Sequence, residues 1–575
     1  MTHEDDLPTE SMTIRLLAFL VSMLLIFPAM GDSAELTPLS ATSDLEKTLG
    51  KGSADEYSIA MVAGESVLII VKQEGVDVVI DVTAPNSTLL DSVDSPTGRN
   101  GNEVVEIFAT QSGLYRLRIY PIGTDEPVGK YRLTVTEKRS RERSSVILAS
   151  RQKVRDEGTN WLAARSAELP SLDLLAEETK LPALDSLAER AQVVGLGEAT
   201  HGSREFGDVR LALTKRLIQQ HGFRIVALEV SAPGMRVVEP YVRGVSEKTP
   251  DVARVIESGW IGRRTRRELI GWLRNWNQAH PSDRVTLIGV DPQENWKSRE
   301  IVAAFVQRAY SPQVVAQWND TAKELNAADE QTAVFGDSGV NDKAAQFTAE
   351  LLAKMTVDSP ILRARFGDAT YTQAWQAAKD LAEFSDFNSG ENDPLAHSRD
   401  WYMAAEVLRT IEDATTSKKA VFWAHNAHIA STAARYDPAG TVLRNALGCK
   451  YVAVAITFGE GDFVAQVPND LEDRLATNSL PMGEGDTIES LLAKVRRGPI
   501  LASWTCGTQV PTVPVWLGKP QLMHWVGGLY KPGSLVSSAF RPFNLLHDFD
   551  AIIYLPHVSA DESPTDRPLI PARKR

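Results

Sequence analysis

A glutamate and a histidine stand three positions apart, directly after a short apolar run, in residues 192–206 (QVVGLGEATHGSREF). The run is β-branched and glycine-punctuated and then turns polar at Glu198 and His201, which predicts a buried strand that ends in a polar loop. The spacing of three lets both side chains point into one pocket if a helix begins there. Because α/β sheets bind ligands beyond the carboxyl ends of their strands, the pair is a candidate for chemistry.

The chemistry that these residue types suit is general-base catalysis. A histidine has an unperturbed pKa suited to proton abstraction near neutral pH, and a neighbouring carboxylate stabilises its protonated form. The sequence has no Gly-x-Ser-x-Gly nucleophile elbow, and neither of its two cysteines adjoins a histidine. Attack of a base-activated water on an ester carbonyl is therefore simpler than a covalent intermediate. In this scheme His201 takes the water proton, and Glu198 and Glu229 orient the base and the water. Arg210 or His428 stabilises the oxyanion or protonates the leaving alkoxide.

The elements that position these side chains are predicted strands with polar carboxyl ends. The polar residues are Glu198 and His201 after VVGLG, Glu229 after IVAL, Asp291 after VTLIGV, and His425 and His428 after AVFWA. Alternating strands and helices predict βαβ units and an α/β fold with three α/β/α layers around a largely parallel sheet, which gathers these ends at one edge. The helix predicted over about 203–220 carries Arg210 two turns in, and its guanidinium can return to that edge. We assign Asp291 and Arg204 to substrate binding.

A long interval without strands follows the third of these runs. Helical spacing of apolar residues predicts a helical insert over about 297–417. Its loops are rich in Asp, Gly and Asn. They could shape or cover the crevice, and a purely structural insertion explains them equally well.

The amino-terminal part of the chain has a period of two rather than 3.6. Short alternating segments separated by turn residues predict an antiparallel β-sandwich over residues 35–137. The segments AGESVLIIV, GVDVVIDVTAPNS, SGLYRLRIYP and GKYRLTV resemble the bacterial pre-peptidase C-terminal domain, which implies a secreted accessory module. We predict a helical linker over residues 138–183 and the α/β domain over 184–575.

Six further motifs carry a resemblance to a second family. They are GEATHGSREF (197–206), ALEV (227–230), WLRNWN (272–277) with GVDPQ (289–293), SRDWYMA (398–404) and WAHNAHI (423–429), and together, in this order, they resemble the erythromycin esterase family. The resemblance covers about residues 184–560. It implies a macrolide-type ester hydrolase linked to antibiotic resistance, with His201 as general base and a site completed by Glu198, Arg210, Glu229, His425 and His428.

The composition and the amino-terminal segment indicate the classes of partner and the cellular location to expect. A net charge of −14 over 575 residues argues against nucleic acid or an anionic membrane surface as the main partner. Cys449 and Cys506 are too few for a disulfide framework, and we expect two buried thiols rather than one bridge. The apolar run at 16–27, with Arg15 before it and small residues after it, predicts a signal peptide over residues 1–31 and a periplasmic or secreted protein without a membrane span after cleavage. An uncleaved anchor is the alternative, and an acidic lead before the run suggests that Met12 is the true start.

The sequence thus predicts a secreted hydrolase that cleaves a small-molecule carboxylic ester or macrolactone without a cofactor. Two alternatives remain. A metal such as zinc or iron could be required, since His201, His425 and His428 with nearby carboxylates form a plausible ligand set. A non-catalytic envelope protein could instead bind a metal or haem in the same crevice.

Overall fold

The structure is a computed structural model that describes residues 36–561, except 94–97, 123–125, 173–180, 247–262, 336–338, 390–396, 433–436, 468–474, 484–486, 505, 507–512, 515 and 531–538. The predicted signal peptide lies outside the described residues. The chain divides into two compact units, Met1–Ser145 and Val146–Arg575. The division falls within helix α1 (Arg141–Ala163).

The first unit consists of two β-sheets that share one apolar core. Its strands are β1 (Thr37–Leu39), β2 (Asp44–Leu49), β3 (Asp55–Met61), β4 (Ser66–Glu74), β5 (Val78–Thr83), β6 (Leu89–Val93), β7 (Asn100–Phe108), β8 (Gly113–Pro121) and β9 (Gly129–Arg139). One sheet has the order β1-β3-β8-β5-β6 and the other β2-β9-β4-β7. The alternation read from the sequence places Tyr57, Ile59, Val67 and Leu133 inward, in one shared core. The arrangement fits the predicted sandwich, but β1 pairs parallel to β3, so the unit is not wholly antiparallel.

The second unit is built on a mixed sheet with the order β10-β17-β20-β15-β11-β14-β12-β13, to which β16 adds beside β15. The strands are β10 (Ser166–Glu168), β11 (Val193–Leu196), β12 (Ile225–Ser231), β13 (Thr286–Asp291), β14 (Ala420–Trp423), β15 (Tyr451–Gln466), β16 (Leu475–Leu480), β17 (Ile500–Ser503) and β20 (Ala551–Val558). The pairs from β20 to β13 are all parallel, whereas β10, β16 and β17 pair antiparallel. Two further strands, β18 (Gln521–His524) and β19 (Phe540–Phe543), form a separate ribbon.

Helices cover both faces of this sheet. The helices are α2 (Pro182–Arg190), α3 (Arg204–His221), α4 (Ala232–Val242), α5 (Arg263–Ala279), α6 (Trp296–Ala309), α7 (Pro312–Phe335), α8 (Asp342–Val357), α9 (Ser359–Phe366), α10 (Asp368–Ser389), α11 (Arg399–Asp413), α12 (Asn426–Ile429), α13 (Ala439–Leu447), α14 (Ile488–Val495) and α15 (Leu545–Asp548). Successive strand residues divide between two cores, with Val194 and Leu196 packing under α3 and Val193 facing the side of α11 and α13. Because strand side chains alternate, both faces of each central strand are apolar and buried. The second unit therefore has helices, sheet and helices in three layers.

Between residues 297 and 417 the described part of the chain holds helices and no strand. Helices α6 to α10 enclose a core of their own around Phe305, Trp318, Leu351 and Phe384. The last helix of the interval, α11, belongs instead to the core beneath the sheet through Met403 and Val407. The interval is therefore tied to the sheet by its final helix.

The expectation of two buried thiols is wrong. Cys449 and Cys506 form a disulfide with Cα atoms 5.6 Å apart, and Cys449 is exposed. The number of cysteines cannot show whether they pair. The two residues are 57 positions apart in the chain, and they meet because β20 alone lies between β15 and β17 in the sheet. Among the described residues no helix is long and apolar enough to cross a membrane.

Candidate active site

The side chains predicted to do chemistry meet at the carboxyl ends of β11, β12, β13 and β14. These four strands are parallel neighbours in the order β11-β14-β12-β13, so their carboxyl ends share one edge. Glu198 and His201 follow β11, Glu229 lies near the end of β12, and Asp291 ends β13. His428 lies in the short helix α12 directly after β14. The site therefore forms where open parallel sheets place their ligands.

Two glycines hold the loop after β11 close to its neighbours. A Cβ atom on Gly197 would meet Asn426 Oδ1 at 2.0 Å, and one on Gly202 would meet the carbonyl oxygen of Val464 at 2.0 Å. The Asn426 side chain in turn donates to the carbonyl of Ile456 and accepts from its N–H, at 2.9 and 3.2 Å. The loop that carries Glu198 and His201 is thus fixed against β15 and α12 by contacts that no larger residue permits.

Glu198 and His201 form a carboxylate–imidazole pair. His201 Nδ1 lies 2.8 Å from Glu198 Oε1, which fixes the tautomer with Nδ1 protonated and leaves Nε2 as the basic nitrogen. The His201 side chain is 23% exposed, whereas that of Glu198 is only 5% exposed. The carboxylate is therefore buried behind the imidazole, and Nε2 is the atom that a water molecule can reach.

Arg210 keeps the buried carboxylate charged. Its Nη2 forms an ion pair with Glu198 Oε2 at 2.5 Å, and its guanidinium lies 4.8 Å from the centre of the Trp423 ring. Burial alone would raise the pKa of Glu198, but the charge of Arg210 and the hydrogen bond from His201 outweigh burial and lower this pKa below its ordinary value. Arg210 thus acts on the histidine through the glutamate.

His425 is buried between the other two histidines with both ring nitrogens occupied. Nε2 donates to the carbonyl of Ala199 and Nδ1 accepts from the N–H of Ala427, both at 3.2 Å. Burial, helped by the charges of His201 and His428, lowers the pKa of His425 to about 3, so its ring is neutral at neutral pH. Its ring centre lies 5.3 Å from that of His201 and 6.5 Å from that of His428. His425 therefore holds the site together and has no nitrogen left for proton transfer.

His428 has the opposite environment because carboxylates surround it. Its Nδ1 lies 2.9 and 2.8 Å from the two oxygens of Asp400, and its Nε2 lies 3.2 Å from Glu229 Oε1. Burial alone would lower the pKa of His428, but Asp400 and Glu229 raise it to about 10. The same contacts with His428 and the charge of Arg399 lower the pKa of Glu229 well below its ordinary value, against the effect of burial. His428 is therefore an imidazolium at neutral pH.

Arg399 connects the remaining strand ends. It donates to Asp291 through Nε and Nη2 at 2.9 and 2.7 Å, and to Glu229 Oε1 through Nη2 at 3.0 Å. Its Nη1 lies 3.2 Å from His428 Nε2. Arg399 and Asp400 are the first two residues of α11, which begins at the N-cap Ser398, so the last helix of the long interval completes the site.

The structure brings together seven of the eight residues that the sequence predicts for the site. They are Glu198, His201, Arg210, Glu229, Asp291, His425 and His428. Glu229 contacts Arg399, His428 and the N–H of His425, rather than the His201 ring that it was predicted to orient. Arg204 lies on the exposed side of α3 beside Asp208, at 3.9 Å, and has no contact with the cluster in the described part of the chain.

Arg399 and Asp400 belong to the site, although no role was predicted for them from the sequence. Their signal was present in the motif SRDWYMA, where a serine N-cap precedes an adjacent arginine and aspartate. That signal could not be connected to the strand ends, because over a hundred positions separate Asp291 from Arg399.

The three histidines do not present a common set of free nitrogens to a metal ion. Both nitrogens of His425 are occupied, and the Nδ1 atoms of His201 and His428 face carboxylates. Among the described residues, no group of three or more His, Cys, Asp or Glu side chains has the geometry to hold a metal. The predicted ligand set therefore does not fit this arrangement.

Comparisons with known proteins agree with the fold and the motifs. The family description "Erythromycin esterase" matches residues 218–558, a span that begins after the loop with Glu198 and His201. "Erythromycin esterase type II" from Escherichia coli is 26% identical over 304 residues, which cover 48% of this chain and 71% of that protein. Two solved structures have the same fold: a protein from Bacillus cereus (17% identity, TM-score 0.56) and a succinoglycan biosynthesis protein (19% identity, TM-score 0.54), each matched over 72% of this chain and 99% of its own length.

Proposed function

Because this chain belongs to the erythromycin esterase family, we propose that it is a secreted hydrolase that cleaves a small-molecule carboxylic ester or macrolactone by general-base activation of water. Family membership supports a hydrolase of the esterase type. The mechanism, the substrate class and the location outside the cytoplasm are the parts that we propose.

The observation that carries the proposal is the Glu198–His201 pair, with its basic nitrogen at the accessible side. Water attacks the ester carbonyl carbon while His201 Nε2 takes the water proton, and the carbonyl electron pair moves onto oxygen as an oxyanion. When the tetrahedral intermediate collapses, the bond to the alkoxide breaks and the proton passes from His201 to that alkoxide. One ester and one water thus give one carboxylic acid and one alcohol.

The charges around the pair support this direction of proton transfer. Glu198 is ionised and bonded to Nδ1, so it stabilises the imidazolium that forms on His201. His428 already carries a proton, so its positive charge stabilises the developing oxyanion and it does not act as a second base. The two histidines can therefore act in one reaction because their environments give them different protonation states.

The signal-like amino terminus and the disulfide support a location outside the cytoplasm. A disulfide persists in oxidising compartments and is rare in the cytosol. We expect the mature protein to lack residues up to about Gly31. Intact-mass measurement of protein from the native envelope fraction tests this, and an amino terminus at Met1 or Met12 in the cytosolic fraction would contradict it.

A substrate screen tests the proposed activity. Purified mature protein is incubated with carboxylic esters and macrolactones, with and without a chelator, and the acid and alcohol products are measured. We expect turnover that the chelator does not slow and that His201→Asn lowers by about a hundredfold or more. Ligand-induced thermal shifts without turnover would favour a binding protein, and loss of turnover with a released equivalent of metal would favour a metalloenzyme.

A further inference from the structure

The guanidinium of Arg399 lies at the centre of the strand-end cluster with one nitrogen unused by carboxylates. Three of its N–H groups are taken, since Nε and Nη2 bind Asp291 and Nη2 also binds Glu229. The contact of Nη1 in the described part of the chain is His428 Nε2, at 3.2 Å. An arginine carries five N–H donors, so two of them are directed to the neighbourhood of His428.

The contact between Nη1 and Nε2 cannot be a hydrogen bond in the protonation state that the surroundings favour. Asp400 lies at Nδ1 and Glu229 Oε1 lies 3.2 Å from Nε2, and both carboxylates raise the pKa of His428 to about 10. Nε2 therefore carries a hydrogen and is a donor. The Nε2 hydrogen points to Glu229 Oε1, which also accepts from Nη2 of Arg399, so the two hydrogens on Nη1 face a second cation and have no carboxylate acceptor among the described residues.

Such a pair of donors is an anion site when it is open to solvent, and this one is. The side chains of Arg399 and His428 are 21% and 15% exposed. The anion that the proposed reaction generates is the oxyanion, which forms on the substrate carbonyl while His201 holds the water proton. The His425 ring lies between those of His201 and His428, with its centre 5.3 and 6.5 Å from theirs, so the base and the donors lie on two sides of one ring.

Arg210, the arginine that the sequence analysis proposed for this task, is engaged elsewhere. Its Nη2 pairs with Glu198 at 2.5 Å, its side chain is only 10% exposed, and its guanidinium lies against the Trp423 ring. Its charge lowers the pKa of Glu198, the carboxylate that pairs with His201.

We propose that Arg399 is a further catalytic residue, whose Nη1 hydrogens bind the oxyanion beside the imidazolium of His428. This inference rests on the proposed function. The carboxylates of Asp291 and Glu229 hold the guanidinium in a fixed orientation, so its donors need no reorganisation when charge develops on the substrate. The last helix of the long interval thus supplies half of the oxyanion site.

The conservative variant Arg399→Lys tests the proposal against a matched control. Lysine keeps the charge but lacks the planar pair of Nη atoms, so it cannot hold two carboxylates and still donate through a second nitrogen. The control is Arg224→Lys, because Arg224 makes a bidentate pair with Asp283, at 2.7 and 2.5 Å, at the opposite ends of β12 and β13. Both variants lose a bidentate arginine–aspartate pair, and only one of them lies at the site.

With p-nitrophenyl acetate as substrate, we expect Arg399→Lys to lower kcat by about 10²–10³-fold, as loss of one oxyanion donor does. KM should change by less than about threefold, since the donor acts mainly in the transition state. The inhibition constant of p-nitrophenyl methylphosphonate, a stable tetrahedral anion, should rise by the same factor as kcat/KM falls. Arg224→Lys should leave all three constants unchanged. Unchanged kcat in Arg399→Lys, or equal losses in both variants, would overturn the proposal.

A crystal structure of the unaltered protein with the same phosphonate gives a second readout that needs no variant to fold. We expect an anionic phosphonate oxygen within hydrogen-bond distance of Arg399 Nη1, next to the His428 ring. A phosphonate bound at Arg210, bound to backbone N–H groups, or not bound at all would overturn the proposal. If the protein hydrolyses no ester, the proposed function fails, whereas a phosphonate held between Arg399 and His428 would still support the anion site.

Discussion

The three histidines of the site differ in protonation state because their neighbouring groups differ. His201 has one carboxylate partner and the most exposed side chain of the three. His428 has Asp400 and Glu229 at its two nitrogens and is held as a cation, while His425 bonds only to backbone groups and is held neutral. The protonation state of each ring is thus set by burial and by charges within hydrogen-bond distance.

At the same scale, we predict that His201→Asn lowers ester turnover by about a hundredfold or more, as loss of a positioned acid–base group does. Folding should survive because the ring lies at the polar mouth of the sheet and supports little of the core. Turnover is measured with the ester identified by the screen, and a thermal melt checks the fold. Glu229→Gln should also lower turnover, and parental rates in both variants would show that the site is misplaced.

A second buried glutamate, Glu489, has no part in this site. It accepts hydrogen bonds from the Thr457 hydroxyl at 2.5 Å and from the N–H of His524 at 3.0 Å, and its other oxygen has no partner among the described residues. Burial and the charge of Glu489 raise the pKa of Tyr554. The His524 ring stacks on the Phe458 ring, with the ring centres 4.2 Å apart. Burial raises the pKa of Glu489 to about 7.

We therefore predict a pH-dependent contribution of Glu489 to stability. The folded-state pKa lies above the unfolded value of about 4.5, so the contribution is fully present below about pH 4.5 and is lost as the pH rises to about 7. The shift corresponds to about 3 kcal/mol. Glu489→Gln keeps both accepted hydrogen bonds and does not titrate, so the difference in unfolding free energy between parent and variant should change by this order between pH 4.5 and 8. A constant difference across that range, in urea titrations, would contradict the assignment.

At the scale of elements, the loop after β11 and the start of α11 approach the same strand ends from different sides. The loop is held by the close contacts of Gly197 and Gly202, and α11 is held by its apolar face in the core below the sheet. The N-cap Ser398 begins α11 where Arg399 reaches three strand ends and Asp400 reaches His428. The geometry of the site thus depends on the position of the loop after β11 and on the residue at which α11 begins.

The disulfide is a second device at this scale, and it ties the entry of β15 to the segment after β17. It closes a loop of 57 positions. We predict that Cys449→Ser with Cys506→Ser lowers the unfolding free energy by about 2–4 kcal/mol, since the bridge restricts the unfolded chain. Denaturant unfolding of the parent with and without reductant measures the effect. Two titratable thiols in the native parent, or no effect of reductant, would contradict it.

At the scale of the whole molecule, the chain consists of two units with separate cores. The first unit packs both of its sheets on one core, and the second has cores on both faces of its sheet and among the helices of the long interval. Every contact described for the site lies within the second unit. Units with their own cores can fold separately.

We predict that a chain beginning near Ser144 folds and keeps its hydrolase activity. The test compares the cooperativity of thermal unfolding and kcat/KM between this shorter chain and the mature protein. A broad, non-cooperative transition would show that the second unit needs residues from the first.

The class of each unit and most of the site could be predicted from the sequence. Period-two alternation located the sheets of the first unit, and apolar runs followed by polar residues located four strands of the second. Both patterns are local, because the alternation or run of apolar residues within a strand shows which of its faces are buried. Parallel strands share one edge by geometry, so their polar ends could be expected together before the structure was known.

The pairing of those residues, and the further residues that join them, follow from tertiary contacts. Glu198 pairs with His201, and Glu229 pairs with His428. Both nitrogens of His425 bond to backbone groups, and Arg204 lies outside the cluster. Tertiary contacts also bring Arg399 and Asp400 to the site and join Cys449 to Cys506. These outcomes depend on contacts between residues far apart in the chain, and on burial that shifts the pKa of each group. The sequence around any one of these residues shows neither its long-range contacts nor its burial.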